Sequence, residues 1–319
     1  MNDPSKTPVD IEEQKNWVID LHRSLGSWAE VAKRVGVPAG TISQFASEKG
    51  YGGDNEKIAH KIIRYRQLLA AQAQIEVDMP TRPEYFETET SAQLTHMLTY
   101  AQRFGRIVVG ALGPGNSKTE TSKAYMAGFP NVFHIELSPS SSGVNNMQIE
   151  MLKAMGETDI KGTPQALSAR IKDRVKSLAN ALLIIDEAQH ASVKTIEEIR
   201  SWNDQVGVGI ALFGNAGLLQ TLEGGSRQAS FAQLFSRIGL RLERALPLGA
   251  DVDSLAHGWS IHDDAIKAVL RKICGTIGGL RNGTHALELA WMIASSNGRM
   301  LEAGDLSDAW AQLSSRRVL

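Results

Sequence analysis

Three short apolar runs punctuate the middle of the chain, Ile107 to Leu112, Ala181 to Ile185 and Val206 to Gly214, and two mixed segments, Asn131 to Leu137 and Leu240 to Leu248, join them. Runs of this length, bounded by polar or glycine-rich segments, read as strands. Ala181 to Ile185 is apolar at every position, so it reads as a central strand of a parallel sheet, buried on both faces. Helical patterns fill the spaces between the runs. They cover 91–103, the segment after Lys118-Thr119, 144–155, 164–178 and 231–238 (FAQLFSRI). Thr163-Pro164 opens the helix at 164–178 as an N-cap with Pro in the first turn. Alternating strands and helices predict an α/β class with a parallel sheet flanked by helices.

The two ends of the chain lack strand signals. In the first 75 residues, Ser27 to Arg34 is a short amphipathic helix, Gly36-Val37 a turn, and Pro38 the start of a second helix carrying Thr41, Ile42 and Phe45. This is helix-turn-helix spacing, with Ala32 allowing close crossing and Gly36 accepting a left-handed turn. The second helix would present Ala39, Thr41, Ser43 and Gln44 to a major groove, with Lys49, Lys57, Lys61, Arg64 and Arg66 available to phosphates. An αα-hairpin used for protein contact fits the same pattern. Residues 76–90, with two prolines and many acids, read as a linker to an α/β core at 91–249. The last 70 residues predict a helical lid, with helices near 251–257, 262–274, 284–295 and 305–314.

Composition narrows this picture modestly. With 319 residues the chain accommodates two or three domains. Its 34 basic and 35 acidic residues leave any basic surface local. One such surface is 164–178, with Arg170, Lys172, Arg174 and Lys176, which fits DNA, a subunit or plain solvent. The single Cys274 excludes an intrachain disulfide and suits a reducing compartment. No apolar run is long enough to span a membrane, and the polar, acidic start is not a signal peptide. A soluble cytoplasmic protein is expected.

The chemistry concentrates where apolar runs end. Ile107 to Leu112 leads into Gly113, Pro114, Gly115, Asn116 and Ser117, then Lys118-Thr119 and a helix. Strand, Gly-rich loop, Lys-Thr, helix is the phosphate-cradling P-loop arrangement. Loop N–H groups would face an anion, Lys118 the β/γ-phosphates, and the Thr119 hydroxyl Mg²⁺. The loop departs from G-x-x-x-x-G-K-[ST], because Leu112 and Ser117 stand where both glycines are expected. A glycine-rich turn with a solvated lysine is the competing reading, and weaker binding or slower turnover is expected if the loop does bind.

The strand ending in Asp186-Glu187 matches the Walker B pattern. Asp186 would act on Mg²⁺ and Glu187 on the attacking water. Asn215, at the tip of the next strand, is the sensor candidate. Arg237, closing the FAQLFSRI helix, is an arginine-finger candidate, with Arg227 and Arg241 as competitors. Arg281, in Gly278-Gly279-Leu280-Arg281, would reach the phosphates from the lid. Phe86 and Thr88 are candidates for an adenine pocket. His190 completes D-E-x-x-H, but a zinc site of that type needs a second His.

In this order the motifs resemble an AAA+ P-loop ATPase. With the GTISQFASEKGYGGDNEKI, YFETET, LLIIDEAQH, FGN and FAQLFSRI segments, the chain is similar nearly throughout to the phage Mu transposition protein B (MuB-like) family. That resemblance implies ATP and Mg²⁺ as cofactors and double-stranded DNA as a partner, bound with little sequence preference. It also implies homo-oligomeric helical filaments and delivery of target DNA to a MuA-like transposase, with release on ATP hydrolysis. It implies that Asn215 is sensor 1, Arg237 the finger acting in trans, and Arg281 sensor 2. Two alternatives stay open: a TnsC-, TniB- or IstB-like helper ATPase, and a DNA-binding regulator whose nucleotide switch does not hydrolyse.

Overall fold

The computed structural model describes residues 9–78, 85–223 and 237–314. Met1–Met79 and Pro80–Leu319 form separate compact units.

The first unit packs four helices: α1 (Ile11–Leu25), α2 (Trp28–Val35), α3 (Ala39–Phe45) and α4 (Asn55–Asp78). Val18, Val31, Val35, Val37, Ile42, Phe45, Ile58, Ala59 and Ile62 form its core. Ser27 caps α2, and Gly36 ends it in the left-handed region at φ 71°, as the turn demands. On α3, Ile42 and Phe45 point inward, Thr41 and Ser43 are half-buried and Gln44 is exposed, as is Lys49 beyond it. Two of the basic residues expected at phosphates are engaged within the unit. Lys61 Nζ donates to the Gly36 carbonyl at 2.9 Å, and Arg66 donates to Glu13 and Gln14 while lying over the Trp17 ring.

The second unit is built on a five-stranded, wholly parallel sheet in the order β2-β3-β4-β1-β5. The strands are β1 (Ile107–Leu112), β2 (Val132–Glu136), β3 (Leu182–Asp186), β4 (Gly209–Gly214) and β5 (Ile238–Arg244). The period-2 alternation of side chains explains why the central runs are apolar throughout. Val109, Leu183, Ile185, Ile210 and Leu212 face a layer made by α7 (Val144–Ala154), α8 (Pro164–Lys176), α9 (Val193–Val206) and α10 (Ala216–Glu223). Val108, Leu112, Leu182, Ile184, Ala211 and Phe213 face the opposite layer, α5 (Glu89–Phe104) and α6 (Lys118–Gly128).

Several boundaries differ from the sequence expectation. The helix α9 runs to Val206, ends on Gly207 at φ 65°, and leaves Gly209 to start β4. The strand β5 stops at Arg244, short of Leu248. Of the segment 76–90 expected as a linker, 76–78 end α4 and 89–90 begin α5, while 79–84 lie outside the described residues. Most of the expected 231–238 helix, and Arg227, lie outside the described residues. On α8, Arg170 pairs with Glu157 and Lys172 donates to Gln205 at 2.9 Å, while Arg174 and Lys176 are exposed.

Beyond β5, α11 (Gly249–Gly258), α12 (Asp264–Cys274), α13 (Gly279–Ser296) and α14 (Ala303–Ser314) enclose a separate core around Leu255, Trp259, Leu270, Ala286 and Leu287. Asp251 ties this bundle to α5. Fully buried, its carboxylate accepts from the Thr90 and Leu248 amides at 2.8 Å each and from the Thr90 hydroxyl. Thr90 Oγ1 in turn accepts from Arg244. Asp251→Ala strands the buried Thr90 amide and the half-buried Leu248 amide, so urea denaturation of this variant is expected to show a loss of about 3 kcal/mol.

Candidate active site

The segment that leaves β1 makes the site. Leu112 remains part of the strand and is fully buried among Leu94, Leu98 and Phe213. The loop begins at Gly113, so no glycine is needed at Leu112. The Gly113 N–H donates to the Arg244 carbonyl at 2.8 Å. The Asn116 amide donates to the Gly113 and Ala245 carbonyls at 3.1 and 3.2 Å, stapling the loop to the end of β5. Gly115 sits at φ 74°, and a Cβ there would fall 1.9 Å from the Gly278 carbonyl oxygen. The loop is thus pressed against the start of α13, and the Leu280 N–H donates to the Gly115 carbonyl at 3.1 Å.

Ser117 supplies the left-handed residue that the loop pattern assigns to glycine, at φ 60° and ψ 8°. A serine can hold this conformation at a cost of about 1 kcal/mol. Ser117→Gly relieves that strain but loosens the unfolded chain, so a net stabilisation of roughly 0.5 kcal/mol is expected. Thermal denaturation, with nucleotide titration alongside, measures it; an unchanged or lowered midpoint contradicts the strain account. Ser117 makes no side-chain cap to α6, so the first amides of that helix are left to face a ligand.

Lys118 is the first residue of α6 and is buried. Its ammonium donates to the Leu112 and Gly113 carbonyls at 2.8 and 3.2 Å. Burial pulls its pKa below the usual lysine range, partly countered by Asp186 and Glu187, while Arg281 adds to the depression. Thr119 donates its hydroxyl proton to Asp186 Oδ2 at 2.6 Å. Asp186, fully buried at the end of β3, would be pushed up by burial. His134 beside it (Nε2 to Oδ2, 3.8 Å), the Thr119 hydroxyl, the Glu187 amide and Lys118 outweigh that and hold it below the usual carboxylate range. The hydroxyl and ionised carboxylate are hard oxygen donors that suit a small divalent cation sharing its shell with phosphate.

The loop, α6 and the bundle enclose a cavity of about 230 Å³. Pro114 to Glu120 line one side, Glu187 the strand end, and Leu280 and Arg281 the bundle side. Tyr85, Phe86, Trp259, Thr284 and His285 complete the wall. The lining offers loop amides, Lys118 and Arg281 to an oligophosphate, and Tyr85, Phe86 and Trp259 to a planar ring. Phe86, one of the two residues expected near an adenine, is among the lining residues. Thr88 is not: it is buried and caps α5 in a box with Ser91. Gly278-Gly279-Leu280-Arg281 does not precede a helix; α13 begins at Gly279, which puts Arg281 in its first turn. Tyr85, Trp259, Thr284 and His285 were not anticipated, because they come from three separate segments without a shared pattern.

Gly113 and Asp186 lie just behind the cavity wall, and two further expected residues, Asn215 and Arg237, stand apart from it. The Asn215 side-chain oxygen accepts from the Gly217 amide at 2.8 Å and so caps α10. Arg237 immediately precedes β5, at the end of the sheet away from the loop, and its Nε lies 3.3 Å from Asp204 Oδ1. Arg241 is exposed on β5.

Comparison with known proteins places the chain. Residues 104–222 match the AAA domain family, and residues 236–313 match the family described as Mu B transposition protein, C terminal. The chain is 31% identical over 287 residues to the ATP-dependent target DNA activator B of Escherichia phage Mu, covering 90% of each protein. It is 31% identical over 258 residues to the Mu-like prophage FluMu DNA transposition protein B of Haemophilus influenzae, covering 79% of this chain and 87% of that one. Among solved structures, the Aeropyrum pernix ORC2 protein shares the fold at a TM-score of 0.55 and 12% identity, over 72% of this chain and 68% of that one. On the sequence likeness along nine-tenths of its length, the chain belongs to the Mu B transposition protein family.

Proposed function

We propose that the protein is an ATPase that assembles on target DNA and activates it for a transposase. The observation that carries the reading is one cavity lined together by Lys118, Thr119, Glu187 and Arg281, with Asp186 bonded to Thr119 behind it. Its relative in phage Mu is named an ATP-dependent target DNA activator.

In this reading ATP lies with its phosphates on Pro114 to Thr119 and its base towards Phe86 and Trp259. Thr119 and Asp186 hold Mg²⁺, which supplies charge neutralisation on the phosphates. Lys118 turns from the loop carbonyls to the β/γ-phosphates. Glu187 orients the attacking water and accepts its proton. Arg281 carries the state of the phosphates to the bundle. Asn215 senses the γ-phosphate as the tip of β4 moves. Arg237 serves a neighbouring protomer, for which it must leave an exposed ion pair worth at most about 1 kcal/mol.

DNA is held by the first unit through Thr41, Ser43, Gln44 and Lys49, and by further phosphate contacts. The near-neutral chain suits a filament, in which many protomers each add a few contacts. Such binding is sequence-tolerant and delivers whatever duplex it coats to the transposase. The test is to mix protein, ATP, Mg²⁺ and non-specific duplex, then follow filaments by electron microscopy and phosphate release. ATP-dependent filaments with phosphate release are expected; no ATP-dependent assembly on DNA overturns the reading, and assembly without phosphate release favours a non-hydrolysing switch.

A further inference from the structure

We propose that Gln189 is a positioning residue for hydrolysis, tying Glu187 to the tip of β4; the inference rests on the role given to Glu187 above. Gln189 lies in a 3-10 turn, Ala188–His190, that follows the Walker B strand. Its Nε2 donates to Glu187 Oε2, and its Oε1 accepts from the Asn215 backbone N–H at 3.3 Å. The direction of both bonds is fixed by chemistry. An ionised carboxylate only accepts and a backbone amide only donates, so only this orientation of the carboxamide satisfies both.

Two further features fit the bridge. Glu187 takes the left-handed conformation at φ 53°, an uncommon choice for a glutamate, and this sets the turn from which Gln189 reaches back. Gly214, the last residue of β4, makes room for it: a Cβ there would fall 2.4 Å from Gln189 Oε1. Glu187 lines the cavity, whereas Gln189 and Asn215 do not. Gln189 therefore acts on the carboxylate from behind. It occupies Oε2 and leaves Oε1 for the water. Because its other end is bonded to the backbone of Asn215, any displacement of the β4 tip moves the carboxylate with it. A phosphate sensed at Asn215 is in this way linked to the group that drives its departure.

The test compares Gln189→Met, which keeps length and volume but loses both bonds, with Gly214→Ala, which crowds the bridge while leaving Gln189 intact. Each is expected to lower the turnover number between about tenfold and about a hundredfold, with ATP affinity within about twofold of the parent. A purely structural role would instead lower ATP affinity or the melting temperature along with turnover. Turnover of Gln189→Met within twofold of the parent, or a parallel loss of ATP affinity, overturns the proposal. Glu187→Gln, measured beside them, separates the two readings. If it loses turnover while Gln189→Met does not, the bridge alone is wrong. If it retains parental turnover, the role of Glu187 fails and the bridge with it.

Discussion

Glu187→Gln should slow phosphate release by about 10²- to 10⁴-fold while leaving ATP binding within about twofold of the parent. The substitution keeps shape and removes only the ability to take a proton. Glu187 lines the cavity but is not the acidic residue bonded to Thr119; that residue is Asp186. Loss of the Glu187 charge should leave the cation donors intact. It also removes one of the two carboxylates that offset the burial of Lys118, a minor effect beside the lost base. On DNA, ATP-bound protein that cannot hydrolyse should stay assembled. Filaments formed with ATP should then persist under conditions in which the parent protein dissociates, a comparison that light scattering or microscopy makes directly. Abolished ATP binding would assign Glu187 to the cradle instead, and unchanged hydrolysis would remove it from the mechanism.

The strands were legible because this sheet buries both faces: Ala181 to Ile185 could sit nowhere but between two helical layers. The order of loop, acidic strand end and polar strand tip was equally open, since each motif sits where an apolar run ends. What the residues could not disclose was contact between distant segments. Leu112 and Ser117 looked like defects in the phosphate loop. One turned out to be still strand, and the other a serine held at φ 60° by its surroundings. Gly278 and Gly279 stand just ahead of the helix expected at 284–295, and nothing local marks what they touch. Their lack of side chains allows the bundle to press on Gly115. Trp259 and His285 carry no local signal at all, as a cavity wall gathered from the residue capping α11 and from α13 has no period along the chain. Gln189 carries no local signal for a similar reason, because its partner Asn215 follows the end of the neighbouring strand.

Lys118→Ala should weaken ATP binding by about 10²-fold, or roughly 2.7 kcal/mol, in line with removing one partner of a buried charge pair. The effect on the free protein should be much smaller, and the difference is informative. In the free site the ammonium is buried, its pKa depressed by desolvation, and its bonds are to two backbone carbonyls. Removing it strands those carbonyls but also removes a poorly solvated charge, and the two consequences oppose each other. In the ATP-bound site the same ammonium faces the phosphates, where its burial strengthens the attraction instead of opposing the charge. The loss therefore falls on the complex. Equilibrium titration with a fluorescent ATP analogue, set beside urea denaturation of the free protein, separates the two contributions. A large loss of stability with unchanged affinity would make Lys118 a structural pin for the loop. An affinity loss with stability nearly preserved would place the ammonium on the nucleotide, and would make Gly113 to Ser117 a working phosphate loop despite the serine before its lysine.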